Sequence, residues 1–369
     1  MKLKIAIAGT RGIPNHYGGY EQAVTFLADG LAKKGHAVTV YTSHTHPYKE
    51  KKWKDVELIH CYDPEERIGT AGQFLYDLNC IRHARRQAYD ILLFMGYTSS
   101  SVWGRMFPKQ SIVISNMDGL EWKRSKYSQP VRYFLKYAEK LAVRFSRYHI
   151  ADSVAIKKYL DEKYDINSQF IPYGANFSSA LSADSLKEFN TRQGEYYLLI
   201  ARMEPENNIE MILDGYIASG SGDKFLVIGN TMNNYGQKLM QKYITSSSIH
   251  FAGAIFDQYK LGNLRAFCKL YFHGHSVGGT NPSLLEAMAS GCIIAAHKNE
   301  FNEAVLGNDA SYFSTPGDVS RIILTESPGE IKTKWMNAQK NKIKEFYNWQ
   351  HITDLYETFL LQCYNDQQA

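Results

Sequence analysis

Short apolar runs alternate with amphipathic stretches along nearly the whole chain, and this rhythm restricts the fold more than any other feature. A strand buried on both faces of a parallel sheet reads as a continuous apolar run, and the crossover to its neighbour needs a helix. In the first half the runs fall at residues 3–8, 37–41, 56–60, 91–95, 112–115, 148–151 and 169–171. A helix is expected from Gly19 to about Lys34, with Gly35 as its left-handed terminator. Residues 172–192 are rich in Ser, Ala, Gly and Asn and interrupt the rhythm, as a crossing between domains would. A second series then begins, at 197–201, 225–229, 249–252, 270–272 and 292–296. Two terminal helices are expected, at 329–347 and 349–363. The fold class is therefore α/β, with two Rossmann-like domains, 1–174 and 175–348.

Size and composition agree with this. The chain has 369 residues, of which 44% are hydrophobic and 21% charged, enough for two cores. A net charge of +5 is mildly basic, so no nucleic-acid partner is expected. The 26 tyrosines suit surfaces that stack on sugars or bases, and are equally ordinary core material. The cysteines (Cys61, Cys80, Cys268, Cys292, Cys363) are scattered and odd in number, which points away from a disulfide framework and towards a reducing, cytoplasmic setting. The first residues run from Met1 into a glycine-rich turn and read as a strand, with no long apolar stretch of the signal-peptide kind. No apolar run approaches membrane-spanning length.

Three segments can carry chemistry. The first runs from Gly9 through Arg11, Gly12, Gly18 and Gly19 to Glu21, between the first strand and the first helix. Glycines there allow close backbone approach, and the helix start favours anions. Gly9 and Gly12 do not complete a G-x-G-x-x-G fingerprint and the second strand ends without an acid, so a dinucleotide cofactor is excluded. The second is Arg202 to Asn208, after a strand and before a helix, where an arginine fork suits phosphate. The third runs from His273 through His275, Gly278, Gly279, Thr280, Asn281 and Pro282 to Glu286 and Gly291. Asn281 should cap a helix with Pro282 at its first position, making an anion-binding start, with Glu286 one turn on and Gly291 ending the helix.

In this order the segments resemble the GT-B glycosyltransferases of retaining family 4, along essentially the whole chain. The resemblance implies two Rossmann-like domains facing a cleft, with the final helix, 349–369, packing back on the first. It implies that Gly18 and Gly19 form the family's glycine loop and that Arg202 binds the donor diphosphate. Gly229 and Gly253 would line the nucleotide site, and Glu286 would hold the donor ribose. Two positions depart from the family pattern. A lysine is replaced by Asn207, and the first glutamate of a pair eight residues apart, the one that contacts the transferred sugar, is replaced by Gly278. Arg11 is expected to help replace the lost lysine charge. Asp118, after a first-domain strand, is the candidate for catalytic support, with Glu21 nearby on the acceptor side.

The segments around Gly9, Glu204 and His275 resemble most a bacterial subgroup that includes rhamnosyltransferases of surface-polysaccharide assembly. This implies dTDP-rhamnose as donor and a glycan or lipid-linked acceptor. The absence of any D-x-D pair points to a metal-independent mechanism without a cofactor, in which helix dipole and arginine stabilise the diphosphate. Residues 123–147 carry Lys123, Arg124, Lys126, Arg132, Lys136, Lys140, Arg144 and Arg147 among aromatics, and are expected as a basic amphipathic helix at the inner face of the cell membrane. The alternatives are a sugar-nucleotide epimerase and a non-catalytic sugar-nucleotide-binding subunit.

Overall fold

The computed structural model describes residues 1–16, 18–117, 119–124, 126–177, 181–325 and 328–368. The chain divides into two units. The first comprises Met1–Lys123, Tyr127–Tyr173 and Trp349–Ala369, and the second Arg124–Lys126 and Gly174–Asn348. Each is a twisted sheet covered by helices, as the α/β reading requires.

The first unit's strands are β1 (Lys4–Ala8), β2 (Ala37–Ser43), β3 (Lys52–Trp53), β4 (Val56–Cys61), β5 (Ile91–Met95), β6 (Ile112–Asn116), β7 (Tyr148–Ala151) and β8 (Gln169–Phe170). They lie in the order β3-β4-β2-β1-β5-β6-β7-β8, parallel except for the short antiparallel edge strand β3. Its helices are α1 (Gly19–Lys33), α2 (Glu65–Ile68), α3 (Gly72–Ala84), α4 (Gln129–Phe145) and α5 (Val154–Tyr164). Ala6, Tyr41, Phe94 and Val113 form part of a buried core with Tyr76 and Ile81 of α3. Helix α1 stops where Gly35 takes φ +93°, a conformation that a side chain would strain.

The second unit's strands are β9 (Tyr196–Ile200), β10 (Lys224–Ile228), β11 (Ile249–Gly253), β12 (Leu270–His273), β13 (Ile294–His297) and β14 (Ser311–Phe313). All pair in parallel, in the order β11-β10-β9-β12-β13-β14. Its helices are α6 (Ile209–Ser219), α7 (Asn234–Lys242), α8 (Gln258–Phe267), α9 (Pro282–Ser290), α10 (Glu300–Leu306), α11 (Pro316–Leu324) and α12 (Gly329–Lys342). Tyr197, Phe225 and Phe272 meet in the core, with the Phe225 and Phe272 rings stacked at 5.5 Å.

Three details differ from expectation. The 172–192 stretch is not all loop, because Ala183–Phe189 forms a 3-10 helix that buries Leu186 and Phe189 and is capped by Ser182. Helix α12 passes into a π-helical turn, Ile343–Tyr347, and ends at Asn348. The last helix, α13 (Trp349–Gln368), is longer than the expected 349–363.

Helix α13 belongs to the first unit and packs on α1. Phe26 stacks on Trp349 at 4.9 Å, and Lys34 and His36 bond Glu357 at 2.8 and 3.0 Å. The helices come close because Gly30 faces Thr353, whose Oγ1 would lie 2.6 Å from any added Cβ. Gly30→Ala should therefore destabilise the first unit by about 1–3 kcal/mol through overpacking, despite alanine's better helix propensity. A urea or thermal unfolding curve checks this, and an unchanged or raised midpoint contradicts it.

Candidate functional site

In open α/β sheets ligands bind beyond the carboxyl ends of the strands, where the strand order reverses. In the second unit the reversal lies between β9 and β12. The loops leaving these strands hold Arg202, Asn207, His275 and the Gly278–Asn281 turn.

The two loops are tied together residue by residue. The Ser276 N–H and hydroxyl donate to the Glu206 carbonyl oxygen at 3.0 and 2.9 Å. Asn208 Nδ2 donates to the Gly274 carbonyl oxygen at 2.7 Å. Asn207 Nδ2 donates to the Arg202 carbonyl oxygen at 2.7 Å, and its Oδ1 lies 2.9 Å from His275 Nδ1. Gly274 has no alternative, since a Cβ there would collide with the Asn207 carbonyl oxygen. From the other side, Asn299 and Asn302 each donate to the His275 carbonyl oxygen at 3.0 Å.

Asn207, expected at the donor site in place of a lysine, thus has both ends of its amide engaged in holding Arg202 and His275. The Arg202 side chain itself is exposed and has no acidic partner among the described residues. Burial first, then the charges of His273, Arg124 and Arg202, holds the His275 imidazole well below its ordinary pKa. Burial, reinforced by Arg265 and His297, lowers that of His273 to about 3.

The turn and helix start expected from the sequence are present. Asn281 accepts the Ser283 N–H at 2.9 Å and Pro282 begins α9, which Gly291 ends at φ +71°. Among the described residues neither Gly278 nor Gly279 donates its backbone N–H, which leaves donors available beside the helix start. Gly278 has φ +132°, and a Cβ on it would lie 3.1 Å from His275 Nε2. A glutamate at this position would be both strained and crowded. Thr280 is buried. Gly229 follows β10 and donates to the Gly253 carbonyl oxygen at 2.9 Å, and its Cβ would collide with the Ala201 carbonyl oxygen. Gly253 ends β11 at φ +74°.

Glu286 is gripped by Arg265 of α8, Oε2 to NH2 at 2.5 Å. Burial opposes the Arg265 charge most strongly, but Glu286, Tyr271 and Cys292 together outweigh it and raise the guanidinium pKa. The contact fixes the direction in which the Glu286 side chain points. Arg265 was not foreseen, since it stands alone in sequence and only the packing of α8 on α9 gives it a partner. Arg124 was placed on a basic helix, yet it belongs to the second unit, 3.7 Å from the buried Glu206 carboxylate. Lys126 likewise pairs with Glu204 at 3.3 Å. The helix begins only at Gln129, because Pro130 suits a first turn.

In the first unit the strand order reverses between β1 and β5, and the Gly9–Gly19 loop leaves β1 there. Gly9 has φ +88°, and its Cβ would lie 2.7 Å from the Met95 carbonyl oxygen. Gly18 and Gly19 open α1 without a side-chain cap. Glu21, expected among the catalytic candidates on the acceptor side, is buried and its Oε1 accepts the Arg11 N–H at 3.0 Å, which braces the loop. Arg11, expected to replace the lost lysine charge, is paired in a two-pronged contact with Glu65 at 2.8 and 2.6 Å. Its fork is already neutralised within the first unit. Asp118 lies outside the described residues. The loop beyond it is anchored by Glu139, which accepts from Trp122 at 3.1 Å and from Tyr159, Lys163 and Tyr164 at 2.9, 2.8 and 2.6 Å.

A family described as a domain of unknown function (DUF1972) matches residues 2–176. No curated protein matches. Among solved structures, sucrose-phosphate synthase from Thermosynechococcus elongatus is 16% identical, with a TM-score of 0.80 over 99% of this chain and 100% of that one. HepE from Anabaena, in complex with UDP and glucose, is 16% identical, with a TM-score of 0.76 over 98% and 100%. An α,α-trehalose-phosphate synthase from Burkholderia xenovorans, in complex with glucose 6-phosphate, is 9% identical, with a TM-score of 0.74 over 97% and 100%. The fold is that of the GT-B glycosyltransferases.

Arg265→Met leaves the Glu286 carboxylate without its buried partner and should cost about 3–5 kcal/mol of stability. Urea unfolding reads this, and a loss below about 1 kcal/mol would remove the pair from the framework. His273 binds a proton in the unfolded chain near pH 6.5 but in the folded one only near 3. Its stabilising contribution is complete above about pH 6.5 and lost progressively as pH falls towards 3, by up to about 1.4 kcal/mol per pH unit. Urea midpoints between pH 7 and 5 should fall, and less steeply in His273→Gln.

Proposed function

We propose that the protein is a glycosyltransferase whose second unit binds a nucleoside-diphosphate sugar and whose first unit takes the acceptor. The observation that carries this reading is the group at the β9–β12 reversal: exposed Arg202, the Gly278 and Gly279 amides beside the Asn281-capped start of α9, and Glu286 set by Arg265. These supply a cation, a helix dipole and backbone donors for a diphosphate, and a fixed carboxylate for ribose hydroxyls. The same fold in HepE carries UDP and glucose. The donor we favour is dTDP-rhamnose, on the resemblance of the motifs, with transfer to a glycan or lipid-linked acceptor of polysaccharide assembly. Retention of configuration and independence of metal ions belong to the same proposal, as does Asp118 as a group supporting catalysis.

A second reading, a non-catalytic sugar-nucleotide-binding subunit, is favoured by Asn207 and Gly278 standing where the family has charged residues. The two readings, and an epimerase on the same scaffold, separate in assay. A transferase consumes donor only with acceptor present, an epimerase alters donor alone, and a binding subunit does neither.

No described helix is long and apolar enough to cross a membrane. Helix α4 nevertheless exposes Tyr133, Phe134 and Tyr137, beside Lys136, Lys140 and Arg144. We propose that this face meets anionic lipid, which would suit a lipid-linked acceptor and a place at the inner face of the cell membrane.

Thermal-shift and calorimetric titration with dTDP, UDP and GDP tests the donor site. One nucleotide should bind, and Arg202→Ala should weaken it about tenfold to a hundredfold without lowering the unfolding midpoint, because a charged hydrogen bond contributes roughly 1.5–3 kcal/mol. Binding of none of the three overturns the proposal. For the lipid face, sedimentation with phosphatidylglycerol vesicles should fall with added salt and be lost in Tyr133→Ser/Tyr137→Ser. Equal sedimentation with neutral vesicles counts against it.

A further inference from the structure

The two positions that depart from the family pattern, Asn207 and Gly278, touch the same side chain. Asn207 Oδ1 meets His275 at Nδ1, 2.9 Å away. Gly278 lies beside the other nitrogen, where a Cβ would come within 3.1 Å of Nε2. The orientation of the Asn207 amide is settled by its NH2 group, which donates to the Arg202 carbonyl oxygen at 2.7 Å. The amide oxygen must then face His275, so the ring carries its proton on Nδ1 and Nε2 is left with a lone pair. The backbone under the ring is anchored as well, since the His275 carbonyl oxygen takes hydrogen bonds from Asn299 and Asn302. It is half-buried, next to the Gly278–Asn281 turn.

A neutral nitrogen lone pair is repelled by phosphate oxygens, which have no proton to give. The part of a ligand that meets Nε2 must bring an O–H or N–H donor. The diphosphate belongs with Arg202 and the start of α9, so the group beyond it, over Gly278, is the sugar. Resting on the donor-binding reading above, we propose that His275 reads the transferred sugar, its Nε2 accepting a hydrogen bond from a sugar hydroxyl. Asn207 is its positioning residue, fixing the tautomer, and Gly278 is side-chain-free so that sugar and imidazole can meet. A half-buried acceptor of this kind discriminates against donors lacking the matching hydroxyl, because the imidazole would be left unpaired.

The test compares a nucleotide with its own sugar conjugate on the full chain by calorimetry: dTDP against dTDP-rhamnose, UDP against UDP-glucose, GDP against GDP-mannose. In the wild type one nucleotide and its conjugate should bind. His275→Ala should leave the free nucleotide within about twofold and weaken the conjugate about tenfold, the loss of one hydrogen bond of roughly 1.4 kcal/mol. His275→Gln, which keeps an acceptor near Nε2, should restore most of the loss. His275→Asn, which keeps the bond to Asn207 but removes Nε2, should not, and it serves where the alanine variant does not fold. Asn207→Ala should weaken the conjugate more than the free nucleotide, with the nucleotide falling somewhat too because the same amide holds the Arg202 backbone. Equal weakening of nucleotide and conjugate would make His275 a base-contacting or structural residue and overturn the proposal. So would no weakening of either. If the wild type binds no nucleotide, the donor-site reading fails, and His275 with it.

Discussion

The site in the second unit depends on one carboxamide. Asn207 joins the loop after β9 to the loop after β12, across the point where the strand order reverses. Its NH2 group cannot exchange places with its oxygen, since carbonyl oxygen faces it on one side. That asymmetry passes to His275 and decides which ring nitrogen is protonated. Arg202 is held by its backbone from the same amide, leaving its guanidinium free to point outward. Around this bond, Asn208, Ser276, Asn299 and Asn302 add neutral hydrogen bonds. Such bonds each contribute only about 1 kcal/mol, but they need no counter-charge and leave the local field to the ligand.

The fold was legible in the sequence because its signals are local. Buried parallel strands are apolar runs, and Ile91–Met95 is an uninterrupted one. Gly35 and Gly291 announce helix ends, since their positive φ is open to few other residues. The elements that escaped lack such signals. Lys52–Trp53 is two residues long, and Ser311–Phe313 is three at a sheet edge. Neither can show a period. Ala183–Phe189 sits in a polar stretch and becomes helical as it buries Leu186 and Phe189.

The site was legible only where its chemistry is local too. Asn281, Pro282 and Gly291 describe a capped helix by themselves. Long-range pairs were invisible: Arg265 with Glu286, Arg124 with Glu206 and Arg11 with Glu65. A charged residue read alone is an available charge, and packing decides whether it stays available. Arg11 and Glu21 were read as facing a ligand; in the first unit Glu21 accepts the Arg11 N–H and the Arg11 guanidinium pairs with Glu65. Arg202, by contrast, keeps its side chain in the open.

The departures at 207 and 278 look at first like two losses. Relative to the resembling family, one removes a positive charge and the other a negative one, so the formal charge of the site is unchanged. A lysine at 207 would abolish the acceptor that orients His275 and add a cation to a region already holding Arg202 and Arg124. A glutamate at 278 would need φ +132° and would crowd Nε2. Restoring the lysine alone therefore removes the contact that orients His275, and restoring the glutamate alone crowds the ring nitrogen that this contact leaves open.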